Sequence, residues 1–205
     1  MNSIPEQQPV PTQKKSKKIW SIVAVVLLLG CNPLVQTPQQ NEVKSGEEIR
    51  SEEGGYAFKT IPGYKAGLGI ISGEYILDSN DIDYSDPNFV VGEGPQIIFD
   101  GLISSSNLTF EKYVKNGNND MRNRSNATIS GEPQVSIAGI MGKAFDYDYE
   151  LAGAGKMKAR DVSVEVNPSQ FFSIHCRSTT EKWDKTLAAC EAVINSITFF
   201  EPKPQ

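Results

Sequence analysis

Along this chain the spacing of apolar positions switches between two and 3.6 residues, and each switch marks an element. The clearest period of two is KAFDYDYEL, Lys143 to Leu151, with Phe145, Tyr147, Tyr149 and Leu151 on one side and Asp146, Asp148 and Glu150 on the other. Such alternation predicts a strand with one buried and one solvated face. YAFKTI, from Tyr56, alternates and stops at the turn pair Pro62-Gly63, and PQIIFDG, from Pro95, predicts a further strand. After Ala152-Gly153-Ala154-Gly155 the chain resumes as KMKARDVSVEVN. There Met157 and Ala159 fall on one parity and Val162, Val164 and Val166 on the other, so keeping both sets inward requires a bulge near Arg160 and Asp161. Asn167-Pro168 then turns into QFFSIHC, which completes an antiparallel meander.

Helical spacing occurs twice. NLTFEKYVKNG predicts a short helix capped by Asn107 and stopped by Gly117. Ser178-Thr-Thr-Glu181 has the form of a capping box, and Trp183, Leu187, Cys190, Ile194 and Ile197 follow as one apolar stripe. Strands and helices interleave without a regular strand-helix-strand repeat, which predicts an α+β domain with a mainly antiparallel sheet packed between helices.

Upstream, a polar segment ending in Lys14, Lys15, Lys17 and Lys18 precedes an apolar run from Ile19 to Gly30. A spanning helix needs about 20 apolar residues, whereas a shorter run behind a basic region reads as the core of a signal peptide. Leu28, Leu29, Gly30 and Cys31 resemble the lipobox of bacterial lipoproteins. That resemblance implies cleavage before Cys31, a diacylglyceryl group on its thiol and acylation by palmitate or a similar chain. The alternative is an uncleaved signal anchor. Residues 1 to 30 are thus expected to be a signal peptide and Cys31 the membrane attachment. Residues 31 to 55 lack aromatic residues and are rich in Gln, Glu, Ser and Gly, a composition expected of a flexible tether. Residues 56 to 202 form one domain, long enough to bury about 70% of its unfolded surface.

Loss of the first 30 residues removes four of the 20 basic and one of the 25 acidic residues, taking the net charge from −5 to −8. An acidic protein is a poor ligand for nucleic acid and for anionic head groups. The membrane contact is therefore expected to run through the lipid, on the extracytoplasmic face of a bacterial membrane.

GYAFKTIPGY, GPQIIFDG and the closing pattern RDVSVEV, QFFSIHC, EKWDKTLAACEAVINSITFF resemble the PsbP-like group, which includes an extrinsic photosystem II subunit and many bacterial lipoproteins. Asn195, Ser196, Ile197, Thr198 and Phe199 fill the group's terminal Ser-hydrophobic-x-Phe segment. The resemblance implies a PsbP-like α/β/α sandwich and a non-enzymatic role, and it assigns no functional residue.

Candidate chemistry is sparse. The lone histidine, His175, shares a strand with Cys176 and must point to the opposite face, so the two cannot act as base and nucleophile. A triad with a distant Ser and Asp is geometrically open, but no Gly-x-Ser-x-Gly elbow supports it. Gly139-Ile-Met-Gly142-Lys143-Ala144 is too short for a phosphate loop and reads as a turn. DSNDIDYSD places Asp78, Asp81, Asp83 and Asp86 close enough to hold calcium, although the EF-hand template fails. Cys176 and Cys190 form an even pair in an exported domain, which invites a disulfide, the alternative being two small buried residues. The expected role is a non-catalytic, lipid-anchored accessory or binding module that contacts another envelope protein. A carrier or sensor for a small ligand or calcium is the alternative, and a hydrolase ranks last.

Overall fold

The computed structural model describes residues 46–69, 73–82, 94–104, 108–168 and 170–203. Cys31, Asp83 and Asp86 lie outside them, as do the first 45 residues to which the signal peptide and most of the tether were assigned. The elements in chain order are β1 (Glu48–Ser51), β2 (Tyr56–Lys59), β3 (Tyr64–Leu68), β4 (Tyr75–Ser79), β5 (Gln96–Ser104), α1 (Phe110–Ser125), β6 (Thr128–Gly131), β7 (Ser136–Ile137), β8 (Ile140–Met141), β9 (Lys143–Leu151), β10 (Gly155–Asn167), β11 (Gln170–Thr179), α2 (Trp183–Ile194) and β12 (Thr198–Phe199). Seven of the strands form one open sheet in the order β3-β4-β5-β11-β10-β9-β6, and β1-β2-β12 form a second, smaller one. Every pairing is antiparallel, and β9, β10 and β11 make the expected meander.

β1 moves the domain boundary. Ile49 pairs with Phe58 across the small sheet, and the Gly46 N–H donates to Thr60 O at 2.9 Å. The folded domain thus begins by Gly46, ten residues before the boundary at Tyr56, and residues 46–55 are not tether. Their polar composition hides this because a four-residue edge strand carries a single apolar residue, Ile49.

The large sheet is covered on both faces, which removes the need for a bulge at Arg160 and Asp161. β10 runs in unbroken register with β9 from Gly155 to Ser163 and with β11 from Met157 to Glu165, and the irregularity falls later, between Glu165 and Asn167. Alternate residues simply serve opposite layers. On one face Val162 and Val164 join Phe99, Phe172, Ile174 and Cys176 beneath α2 and the small sheet. Phe58 stacks on Phe99 with centroids 4.2 Å apart, and Tyr56 reaches Phe172 at 5.0 Å. On the other face Ala159 and Tyr147 pack with Met121 of α1.

Cys176 on β11 and Cys190 on α2 form a disulfide, with Cα atoms 6.2 Å apart. The helix starts differently from the capping box expected at Ser178 and Glu181. Ser178 Oγ donates to Thr179 O, and a 3-10 turn at Thr180–Lys182 leads into Trp183. Helix α1 also departs from expectation. Its cap is Thr109, whose hydroxyl accepts from Lys112 N–H at 3.3 Å, and it runs through Gly117 to end at Asn126 in a left-handed conformation. Asn107 lies outside the described residues. A glycine lowers helix propensity without forbidding the helix, and here the sheet beneath supplies the support.

Candidate functional site

Between α1 and the large sheet lies a cleft of ≈ 490 Å³ whose floor the strand register dictates. Asp161 of β10 stands opposite His175 of β11, and Ser163 opposite Ser173. Residues two apart on a strand share a face, so these four side chains form one polar patch. His175 Nδ1 is bonded to Asp161 Oδ1. Ser163 Oγ and Ser173 Oγ are 2.7 Å apart, and Tyr113 Oη descends from α1 to Ser173 Oγ, also at 2.7 Å. Asp100 of β5 and Glu74, just before β4, extend the patch, and Asp120 of α1 lines the cleft from above.

The lining is acidic, with four carboxylates and one imidazole but neither lysine nor arginine among the described residues. Asp100 meets solvent at the mouth of the cleft, yet the protein packed around its carboxyl pushes it up to about 6. Asp161 and Glu74 push the same way, and His175 opposes them. Burial likewise raises the Tyr113 phenol to about 12, with Asp100 and Asp161 adding to the effect and the bond to Ser173 countering it. Beside the cleft, Tyr147 donates to Asn118 Oδ1 at 2.6 Å, a second tie from α1 to the sheet.

An imidazole held by a carboxylate through one ring nitrogen is half of an acyl-transfer triad. The other half is absent among the described residues: the Ser163 and Ser173 hydroxyls bond each other and Tyr113, and no hydroxyl or thiol bonds the ring. Cys176 sits on the opposite face in its disulfide, as the strand parity requires. The arrangement can bind a polar group or take up protons, and among the described residues it pairs no hydroxyl or thiol with the imidazole.

Sequence reasoning found His175, with Ser173 on its face of the strand, but missed Asp100, Asp161, Ser163 and Tyr113 as its neighbours. The available signal lay in β10, where the parity begun by Met157 and Ala159 continues through Asp161 and Ser163: polar residues at inward-facing positions. The acidic segment behaves otherwise. Asp78 Oδ1 accepts from Gln96 Nε2 at 2.6 Å, while Asp81 pairs with Lys185 of α2 at 3.4 Å. Among the described residues no group of three or more His, Cys, Asp or Glu side chains is placed to hold a metal ion.

A seven-stranded antiparallel sheet with a helix on each face defines an α+β domain of PsbP-like fold. The structure is similar to that of LpqN from Mycobacterium tuberculosis, a protein involved in cell envelope biogenesis, with a TM-score of 0.54 and 11% identity over 80% of this chain and 90% of that one. It is similar as well to cyanobacterial PsbP, CyanoP, from Synechocystis, with a TM-score of 0.52 and 12% identity over 84% of this chain and 99% of that one. At such identities the likeness is one of fold. No protein-family model matches the chain, and no curated protein matches it in sequence.

Proposed function

We propose that this protein is a non-catalytic accessory module of the bacterial envelope, anchored by lipid at Cys31 on the extracytoplasmic face, and that it meets a protein partner at the cleft under α1. The observation that carries the reading is the fold shared with an envelope-biogenesis protein over most of both chains. Three further features support it. The Cys176–Cys190 disulfide suits an oxidising compartment. No helix among the described residues is long and apolar enough to cross a membrane. Among the described residues no hydroxyl or thiol bonds the Asp161–His175 pair, and a polar pair of this kind serves binding. Calcium binding by Asp78, Asp81, Asp83 and Asp86 draws no support from the first two, since Gln96 and Lys185 occupy them.

Two measurements test this. Metabolic labelling with a palmitate analogue should mark the wild type and spare Cys31→Ser; equal labelling of both would remove the anchor. A photo-crosslinking residue at Asn116, exposed beside the cleft, should capture an envelope protein in native membranes. The same residue at exposed Ala188 on α2 should not, and equal capture from both would remove the cleft as the contact.

A further inference from the structure

Helix α1 separates the acidic cleft from a second groove, of ≈ 470 Å³, on its other flank. Phe110, Val114, Asn118 and Arg122 recur at intervals of four and so fall on one side of the helix, with Lys115 and Asn119 beside them. Lys143 and Phe145, two apart on β9, share a face and line the groove from the sheet. From Phe110 to Arg122 the groove follows the helix for about 18 Å, at about 1.5 Å per residue. An extended chain rises about 3.3 Å per residue, so this length takes about five of its residues.

The groove reverses the charge of the molecule. The chain carries a net charge of −5, and the cleft on the near flank has neither lysine nor arginine among its described residues. Here Lys115, Arg122 and Lys143 are exposed around the half-buried Phe110, Val114 and Phe145. Among the described residues none of these three cations forms an ion pair, although Arg50, Lys158, Arg160, Lys185 and Lys203 all do. Glu111 and Glu132 share the groove without pairing to them. Glu111 stands in the first turn of α1, where the positive end of the helix already favours a carboxylate. The floor is fixed by packing, with Phe110 against Phe171 at 5.7 Å between centroids and Phe145 against Tyr147 at 6.5 Å.

From this arrangement we infer that the groove receives an extended acidic segment of a protein partner, its carboxylates on Lys115, Arg122 and Lys143 and its apolar side chains on the rings between them. Alternate side chains of an extended segment point to opposite sides, so one that alternates acidic and apolar residues suits a charged rim over an apolar floor. A bilayer, being flat, would meet the cations and leave the floor unfilled. The inference goes beyond the proposed function, because it concerns the flank of α1 away from the cleft and stands whether or not the cleft receives a partner.

Titration of the isotope-labelled full-length protein with an acetylated five-residue peptide of alternating glutamate and phenylalanine tests it by amide chemical shifts. Amides of α1 and of the start of β9 should move at millimolar peptide, while those of Asp100 and His175 in the cleft stay in place. The same peptide with lysine for glutamate should not bind, and added salt should weaken the acidic one. Lys115→Glu combined with Arg122→Glu should lower affinity roughly tenfold, and Lys143→Gln, on the other element, about threefold. Lys59→Glu with Lys65→Glu, at exposed sites on β2 and β3, makes the same change in net charge and should leave affinity within about twofold. Glycerol phosphate moving the same amides as strongly as the peptide would assign the groove to a phosphate or a lipid head group instead. That result, equal binding of the lysine peptide, an equal loss in the remote double variant, or no shift at all would each overturn the inference.

Discussion

The two faces of the large sheet are built on different principles. Under α2 the contact is apolar and cross-linked: Trp183, Thr186, Cys190, Val193 and Ile194 are buried, and Cys190 is covalently joined to the sheet. Aromatic rings from both sheets fill the space between, with Phe58, Phe99, Tyr56 and Phe172 in one chain of contacts. Even the ionic contact is well formed there, since Arg160 holds Asp146 at 2.6 and 2.9 Å and reaches Glu191 of α2 at 3.2 Å. Under α1 none of the helix's described side chains is fully buried, and the sheet offers it carboxylates and hydroxyls alongside Phe171, Tyr147 and Ala159. One sheet thus carries an apolar, cross-linked face and a more polar face held by fewer contacts. Stability concentrated on one side permits a marginal arrangement on the other.

The largest effects are expected where the secure face is cut. Phe99 is fully buried in the Phe58 and Tyr56 stack, so Phe99→Ala should cost about 4 kcal/mol in urea unfolding. A cost under about 1 kcal/mol would break the contrast at its strong end. Next comes the disulfide, whose cysteines are 14 residues apart. Replacing both Cys176 and Cys190 by Ala should lower stability by about 3 kcal/mol in the chain-entropy model. Mass spectrometry of the unreduced, oxidised protein should find neither thiol alkylatable; alkylation of both would show that packing alone holds α2.

These two faces were unequally visible in the sequence. The secure one announced itself, because Val162, Val164, Phe172, Ile174 and the Trp183 stripe follow the periods of strand and helix, and the Cys176 and Cys190 pair marked where they meet. The other face showed in one strand, KAFDYDYEL, whose Phe145 and Tyr147 lie on the α1 side, and gave little beyond it. Helix α1 looks unfinished from its own residues, since Asn116, Gly117, Asn118 and Asn119 read as a stop, and only the sheet beneath them makes continuation favourable. The cleft was harder still. It gathers Asp100, Asp161 and His175 from three strands, and side chains that meet only through strand pairing leave no local spacing to read. β1 escaped for a related reason, its single apolar residue being too little for a period.

A smaller effect sharpens the comparison through pH. Asp100 is raised to about 6 in the folded protein, so the native state binds its proton more tightly than the unfolded chain does. Its contribution is most favourable in acid and is lost as pH rises from about 4 through 6. The unscreened difference is worth about 3 kcal/mol, and solvent contact at the mouth reduces it to roughly 1 kcal/mol. Asp100→Asn should therefore match the wild type near pH 4 and exceed it by roughly 1 kcal/mol at pH 7.5. Thermal or urea unfolding across that range measures the difference. A variant weaker than the wild type at pH 7.5 would mean that the charged carboxylate secures the fold, and the contrast between the faces would fail.

The smallest effect compares one substitution on both faces. At Gly117 an added Cβ meets nothing within 4 Å, and alanine is a better helix former than glycine by up to about 1 kcal/mol. Gly117→Ala should thus stabilise the domain by about 0.5 to 1 kcal/mol and slow hydrogen exchange in α1 by a few-fold. At Gly142, just after the β7–β8 hairpin, the same Cβ would lie 2.7 Å from the Ser163 carbonyl oxygen and 3.0 Å from Val164 Cγ1. The neighbour there is backbone of the interior strand β10, which cannot move aside without disturbing its pairing with β9 and β11. Gly142→Ala should destabilise by about 1 to 3 kcal/mol, as overpacking of a well-filled core does. Opposite signs for the same methyl group would confirm that one face has room to gain order and the other has none. If Gly117→Ala instead destabilised, α1 would already be packed to its limit, and the contrast between the two faces would fail at its weak end.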